Sequence, residues 1–184
     1  MTQRVALVTG AMGGLGTAIC QELAKAGHKV VASYHPQFDN KDAWLAEMSA
    51  AGFNDFVCVA GDVSSLEDCQ KMVAEAEAAC GQVDILVNNA GVSDVVPLAL
   101  MEEEDWDRVL DTNVKGTFLA TRAVLRGMVR LKRGRILNIG SLAGVKMMQA
   151  PVHYSTAKAA IKGFTESLAK EIGRYGITVN NLAP

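Results

Sequence analysis

Val5-Ala6-Leu7-Val8-Thr9-Gly10-Ala11-Met12-Gly13-Gly14-Leu15-Gly16 joins a short apolar run to a glycine-rich turn that opens a helical pattern. Glycine permits positive φ and lets the main chain approach a ligand closely. A helix start adds free N–H donors and a partial positive charge. Strand, glycine loop and helix in that order therefore suit the pyrophosphate of a dinucleotide. The spacing is Gly-x-x-x-Gly-x-Gly rather than the commoner Gly-x-Gly-x-x-Gly, and alone it also reads as an ordinary tight turn. Its place directly after the first strand favours the dinucleotide, with Gly10, Met12, Gly14, Leu15 and Gly16 as the contacting positions.

Outward from this loop, apolar runs alternate with amphipathic stretches. Strands are expected at 5–9, 29–33, 56–60, 85–88, 135–139 and 178–182, and helices at 14–26, 40–51, 66–79, 106–130 and 157–175. Alternation of this kind implies right-handed crossovers and a parallel sheet covered on both faces. The expected fold is therefore α/β, a doubly wound Rossmann-type parallel sheet with helices on both faces, in one domain over 1–184. Such sheets bind ligands beyond the carboxyl ends of their strands. Gly10, Asp62, the run Asn88-Asn89-Ala90-Gly91 and Ser141 all follow strands at that end.

Bulk properties narrow the function. The 184 residues are 49% hydrophobic and 21% charged, with a net charge of -2 and a pI near 5.9. Scattered cations on an acidic chain exclude a backbone-driven nucleic-acid binder. Arg126, Arg130, Lys132, Arg133 and Arg135 form the one basic cluster, read as a solvated cap at a helix end. Met1 to Arg4 lead straight into an apolar strand without a leader-like pattern, and no apolar run approaches the ~18 residues of a membrane span. A soluble, cytoplasmic protein without membrane contact is expected. Cys20, Cys58, Cys69 and Cys80 lack metal or redox spacing, so neither disulfide nor zinc is expected.

Tyr154 and Lys158 stand four apart in a helical segment, thirteen residues after Ser141. Positions i and i+4 share a helix face, so the ammonium of Lys158 would lie beside the phenol of Tyr154. A phenol with a pKa of about 10 carries no protons near neutrality, and a fixed cation is the direct way to lower it. The pair reads as an acid/base device, or as a surface tyrosine beside a solvated lysine. His153 points to another face and is not expected to be catalytic.

After the second strand comes Ser33-Tyr34-His35-Pro36-Gln37, with Asp39 the first acid. An acid at the strand end selects NAD through the ribose hydroxyls. Its absence permits NADP, so NADPH is expected over NADH, with His35 or Lys41 as a donor to the 2′-phosphate. His35 also reads as a plain loop residue.

With these residues in place, the chain resembles the short-chain dehydrogenase/reductase family over essentially its whole length. Thr9 to Gly16 match its glycine loop, Asn88 to Gly91 its adenine-side segment, and Asn113, Ser141, Tyr154 and Lys158 its catalytic set. The opening residues and the missing acid look closest to the acetoacetyl-CoA reductase and 3-oxoacyl-ACP reductase branch. The resemblance implies cofactor contacts from Tyr34, His35, Asp62, Val63, Asn89, Ala90, Gly91, Tyr154, Lys158 and Pro184. It implies that Ser141 polarises a substrate carbonyl, Tyr154 donates a proton, Lys158 holds the nicotinamide ribose and Asn113 holds a water reaching solvent. The implied activity is NADPH-dependent reduction of a 3-oxoacyl thioester on CoA or acyl-carrier protein.

Other readings stand beside these. Asn113 also suits a helix cap or kink, Asp62 a helix-initiating acid, and Met147 and Met148 either an acyl-chain wall or packing. Arg122, Arg126 and Arg130 suit either carrier-protein docking or solvation. Gly140 stands where the family often has serine. The sequence stops at Asn180-Asn181-Leu182-Ala183-Pro184, where relatives continue with a lid, a helix and a final strand. The C-terminal part of the family fold is thus expected to be absent, leaving a sheet edge open. Apolar Val109, Phe118, Val124, Ile161, Phe164 and Leu168 suggest a homodimer or homotetramer. Alternatives are a family member acting on another small ketone, sugar, polyol or steroid, or a cofactor-binding protein without turnover.

Overall fold

The computed structural model describes residues 3–38 and 40–184. Asp39 lies outside the described residues, so the acid after the second strand has no described position. Six strands form one sheet in the order β3-β2-β1-β4-β5-β6. They are β1 (Val5–Val8), β2 (Lys29–Tyr34), β3 (Phe56–Ala60), β4 (Val83–Asn88), β5 (Gly134–Ile139) and β6 (Ile177–Leu182). Every pairing is parallel. The chain winds outward from β1 to β3, then returns to lay β4 against the other side of β1, and the strand order reverses between them.

The side-chain period of two divides each strand between two cores. Val5 and Leu7 join the cluster under α3 (Leu66–Cys80), α5 (Gly116–Leu131) and α6 (Val152–Ile172). Ala6 and Val8 join the cluster under α1 (Gly14–Lys25) and α2 (Lys41–Ala50). Two-sided burial explains why β1 and residues 85–87 of β4 are continuous rather than alternating apolar runs. At the edge, β6 leaves Thr178, Asn180 and Leu182 exposed on the second face.

Two helices differ from their sequence expectation. The stretch expected as one helix over 106–130 is broken into α4 (Glu103–Leu110), a wider π-helical turn Asp111–Lys115 and α5. A π turn inserts one residue into the helical ladder and re-aims the side chains within it; here it carries Asn113 inward. Helix α6 begins at Val152, not near 157, directly after the extended Pro151. Proline supplies no side-chain acceptor, so the usual sequence mark of a helix start is missing.

The apolar set expected on an outer face is mostly consumed inside the chain. Val109, Val124, Ile161 and Leu168 are buried, Phe164 is half-buried, and Phe118 alone of the six is exposed. Helices α3 and α5 pack on each other as well as on the sheet, which uses more apolar surface than one sheet face requires. The basic cluster does sit at a helix end: Lys132 is the left-handed cap of α5, and Arg133 Nε donates to Asp84 Oδ1 at 2.8 Å. All four cysteines are free thiols. Burial pushes Cys20 and Cys69 up to about 12, so both stay protonated at neutral pH. Among the described residues no helix is long and apolar enough to cross a membrane.

Candidate active site

At the carboxyl end of the sheet, the loops after β1 and β4 are stitched together. The Thr9 hydroxyl accepts the backbone N–H groups of Asn89 and Ala90, each at 3.0 Å. The Asn89 side chain returns two hydrogen bonds, to the carbonyls of Thr9 and Gly10, each at 2.9 Å. Gly10 has φ +58°, and a Cβ there would lie 2.8 Å from the Ala90 Cα. Only glycine allows both the left-handed turn and this approach of two backbones. A second close approach fixes Gly16, whose Cβ would meet the Ala11 Cα at 2.8 Å.

Two adjoining cavities open along this seam, sharing Gly10, Ala90, Gly91 and Val92. The first, about 470 Å³, is bounded by the glycine loop, by Asn113 and Ser141, and by Tyr154, Lys158 and Pro184. The second, about 440 Å³, lies over the ends of β2 and β3 and is bounded by Tyr34, His35, Asp62 and Val63. Of the residues singled out in the sequence, Gly10, Gly14, Leu15, Gly16, Asn89, Ala90 and Gly91 line the first cavity as well. Met12 lines neither; its side chain is half-buried against the core under α1 and α2. Lys41 also lines neither, and lies 3.7 Å from Asp42.

Ser141 follows β5 and starts a short turn, its hydroxyl accepting the Ala143 N–H at 3.2 Å. Gly140 before it has no room for a Cβ, because the Asn181 side-chain amide occupies that space. On α6, Lys158 Nζ donates to the Ile139 carbonyl at 2.8 Å and lies 5.5 Å from the Tyr154 ring centre. The pair thus shares one face, as the spacing predicts. Burial pulls the Lys158 ammonium down to about 8, because a charged group loses hydration there and finds no carboxylate partner among the described residues.

Asn113 is fully buried on the π turn. Its Nδ2 donates to the carbonyls of Val92 and Val109 at 2.8 and 2.9 Å, while its Oδ1 has no partner among the described residues. A Cβ on Gly91 would lie 2.6 Å from that Oδ1 and 3.7 Å from Lys158 Nζ. The glycine therefore leaves a gap bounded by an unpaired acceptor and an ammonium. This is the cap-or-kink position anticipated for Asn113, and it also reaches the cavity.

In the second cavity, His35 Nε2 lies 3.7 Å from Asp62 Oδ2, and His35 Nδ1 accepts the Gln37 N–H at 3.1 Å. Partial burial opposes ionisation of Asp62, yet the Ser64 N–H and hydroxyl, each 2.8 Å away, and nearby His35 hold its carboxyl below the usual range. The cap of α3 is Ser65, whose hydroxyl accepts the Asp68 N–H, so Asp62 is free to face the cavity.

Of the further contributors, only Asn88 stood out in the sequence. Arg108, Asp111 and Thr112 enter the second cavity from α4 and the π turn, with Arg108 paired to Asp94. Beneath the floor, Asn88 Nδ2 donates to Thr121 Oγ1 at 2.9 Å and Asn138 Oδ1 at 2.8 Å, and Asn138 Nδ2 to Thr165 Oγ1 at 2.8 Å. This buried chain ties β4 and β5 to α5 and α6, fixing the height of α6 against the Ser141 loop. The facing of Asn88 and Asn138 across strands became readable only with the register known.

A dinucleotide fits this site: two adjoining cavities, a glycine cradle and an unpaired buried acceptor lie along one seam. Comparisons with known proteins agree. The chain is 50% identical to nodulation protein G of Azospirillum brasilense over 184 residues, covering all of this chain and 74% of that protein. It is 44% identical to acetoacetyl-CoA reductase of Cupriavidus necator, again over the whole chain and 74% of the relative. Among solved structures, a gluconate 5-dehydrogenase from Burkholderia cenocepacia in complex with NADP and tartrate superposes with a TM-score of 0.89 at 31% identity, covering 100% of this chain and 71% of that one. Since the short chain dehydrogenase family model also matches residues 4–184, this chain belongs to that family and is an NAD(P)-dependent oxidoreductase.

Proposed function

We propose that the protein uses NADPH to reduce a 3-oxoacyl thioester, acetoacetyl-CoA or a 3-oxoacyl-ACP, to the 3-hydroxyacyl thioester. The observation that carries the reading is the meeting of Ser141, Tyr154, Lys158 and Asn113 around the cavity that the glycine loop also enters. When bound, NADPH supplies the hydride. The chain's own residues handle the charge and the proton. The Ser141 hydroxyl holds and polarises the carbonyl oxygen, and Tyr154 gives that oxygen its proton. Lys158 holds the nicotinamide ribose and keeps a positive charge beside the developing alkoxide. The unpaired Oδ1 of Asn113 accepts from a water in the gap over Gly91, linking Lys158 to solvent.

The glycine loop, Asn89 to Gly91 and Pro184 hold the pyrophosphate and nicotinamide side, while Tyr34, His35, Asp62 and Val63 hold the adenosine. NADPH is preferred because His35 supplies a donor near the end of β2. Met147 is fully exposed and Met148 half-exposed, which favours the acyl-chain wall over internal packing. Likeness to the acetoacetyl-CoA reductase supports the thioester. The likeness to gluconate 5-dehydrogenase favours a second reading, reduction of a keto sugar acid.

The test follows NADPH oxidation with acetoacetyl-CoA, with NADH, a keto sugar acid and Tyr154→Phe alongside. Turnover of the thioester with NADPH, reduced roughly 10²–10⁴-fold in Tyr154→Phe, is expected from loss of the general acid. Turnover of the sugar acid alone selects the second reading.

A further inference from the structure

We propose that Trp44, which lines neither cavity, is a positioning residue that sets how tightly the glycine loop holds the nucleotide. The inference rests on the reading of that loop as the pyrophosphate site. Trp44 is 3% exposed on α2, packed with its ring centre 5.1 Å from that of Phe56. Its indole N–H donates to Thr17 Oγ1 on α1 at 2.8 Å. An indole only donates, so the single proton of the Thr17 hydroxyl is left for another acceptor. That acceptor is the carbonyl of Ala11, at 3.3 Å, in the middle of the glycine loop. Hydrogen-bond direction along Trp44, Thr17 and Ala11 is therefore fixed without ambiguity.

Ala11 is fully buried, and its N–H donates to the Ser33 carbonyl at 2.9 Å. Both its polar backbone atoms are thus pinned from outside the ligand's reach. In a trans peptide the N–H points opposite to the carbonyl. Holding the Ala11 carbonyl toward Thr17 therefore turns the Met12 N–H the other way and sets the path of the loop into the first turn of α1. That turn carries the free N–H groups that favour an anion.

Thr17 alone does not secure this arrangement. A helical threonine divides between two rotamers, because its oxygen can also turn to a carbonyl three or four residues back. Here that alternative is the Gly13 carbonyl, which already accepts the Thr17 N–H at 2.8 Å. The indole N–H selects the rotamer that faces Ala11. Without it the hydroxyl is free to leave, and rotation of the Ala11–Met12 peptide would present the negative end of a carbonyl near the phosphates.

The test titrates NADPH into the ligand-free protein, following nicotinamide fluorescence, after circular dichroism has established the fold of each variant. Trp44→Phe keeps an aromatic ring beside Phe56 and removes the donor together with the second ring of the indole, and Thr17→Val removes the same hydrogen bond without that loss of volume. Trp44→Phe should weaken NADPH about five-fold, as expected for one neutral hydrogen bond. Thr17→Val should weaken it at least as much, Thr17→Ser should match wild type, and Trp44→Phe/Thr17→Val should bind no more weakly than Thr17→Val alone. Amide exchange at Met12 and Gly13 in the ligand-free protein should quicken in Trp44→Phe. NADPH affinities within two-fold of wild type in both Trp44→Phe and Thr17→Val would overturn the relay, as would losses that multiply in the double variant. A wild-type protein that binds no NADPH at all refutes the cofactor reading itself, and the relay with it.

Discussion

Replacing Lys158 with methionine removes a buried charge while keeping a side chain of similar reach. In the folded chain burial lowers this ammonium from 10.5 to about 8. Below pH 8 both folded and unfolded chains hold the proton, and the fold carries the whole cost of burying the charge. Between about 8 and 10.5 the unfolded chain binds more protons than the folded one, so stability rises with pH. Above 10.5 both states are neutral and the cost is gone. The shift corresponds to roughly 3 kcal/mol in all, of which roughly 2 kcal/mol is recovered between pH 7 and 9.5.

Methionine also leaves the Ile139 carbonyl without its 2.8 Å donor, a loss of about 1–3 kcal/mol that does not vary with pH. The informative quantity is therefore the change in the stability difference, not its value at one pH. Urea unfolding of ligand-free wild type and Lys158→Met at pH 7 and 9.5 measures it. Wild type should gain roughly 2 kcal/mol on Lys158→Met across this interval, about 1 M in the urea midpoint. Thiols and other lysines titrate in both proteins and cancel. Stability curves that stay parallel from pH 7 to 9.5 would refute the argument.

Loss of the same charge acts in the opposite direction on catalysis: kcat/KM for carbonyl reduction should fall as pH rises through about 8, when Lys158 loses its charge; a profile flat to pH 9.5 would separate Lys158 from the reaction. Gly16→Ala drives a Cβ to 2.8 Å from the Ala11 Cα, where only backbone can yield. It should cost about 1–3 kcal/mol of stability and abolish nucleotide binding, both readable in one thermal-shift titration. Phe118 is the one exposed member of the six apolar residues from which a homodimer or homotetramer was expected, and that expectation predicts that Phe118→Glu shifts the mass seen by light scattering toward the monomer; an unchanged mass would count against it.

Much of this arrangement was legible because physics leaves a mark on residue type. Double-sided burial made β1 and residues 85–87 of β4 unbroken apolar runs, the approach of Gly10 to Ala90 demanded glycine, and helical spacing paired Tyr154 with Lys158. What escaped depends on partners distant in sequence. A π turn differs from an α turn by one residue in the ladder, which no composition records, so Asn113 appeared as a helix interruption without a direction. The start of α6 after Pro151 lacks a capping side chain. Arg108 and Asp111 reach the second cavity only because α4 folds back over it. Val124 and Leu168 looked available for another chain because sequence does not show that α3 packs against α5, or that α6 lies along β6.

The seam between β1 and β4 has a meaning for how the site comes into being. Val5 pairs with Val83 and Val8 with Val87, so the central pairing closes a loop of more than seventy residues, and Thr9 meets Asn89 only once it has closed. Loop-closure entropy makes such long-range parallel pairing slow. The two halves of the nucleotide site therefore come together only with that pairing, and without it the glycine loop has no wall opposite it. A ligand bridging this seam binds the finished sheet and not its parts. Its binding energy adds to global stability, about 2.7 kcal/mol at one hundred times its dissociation constant.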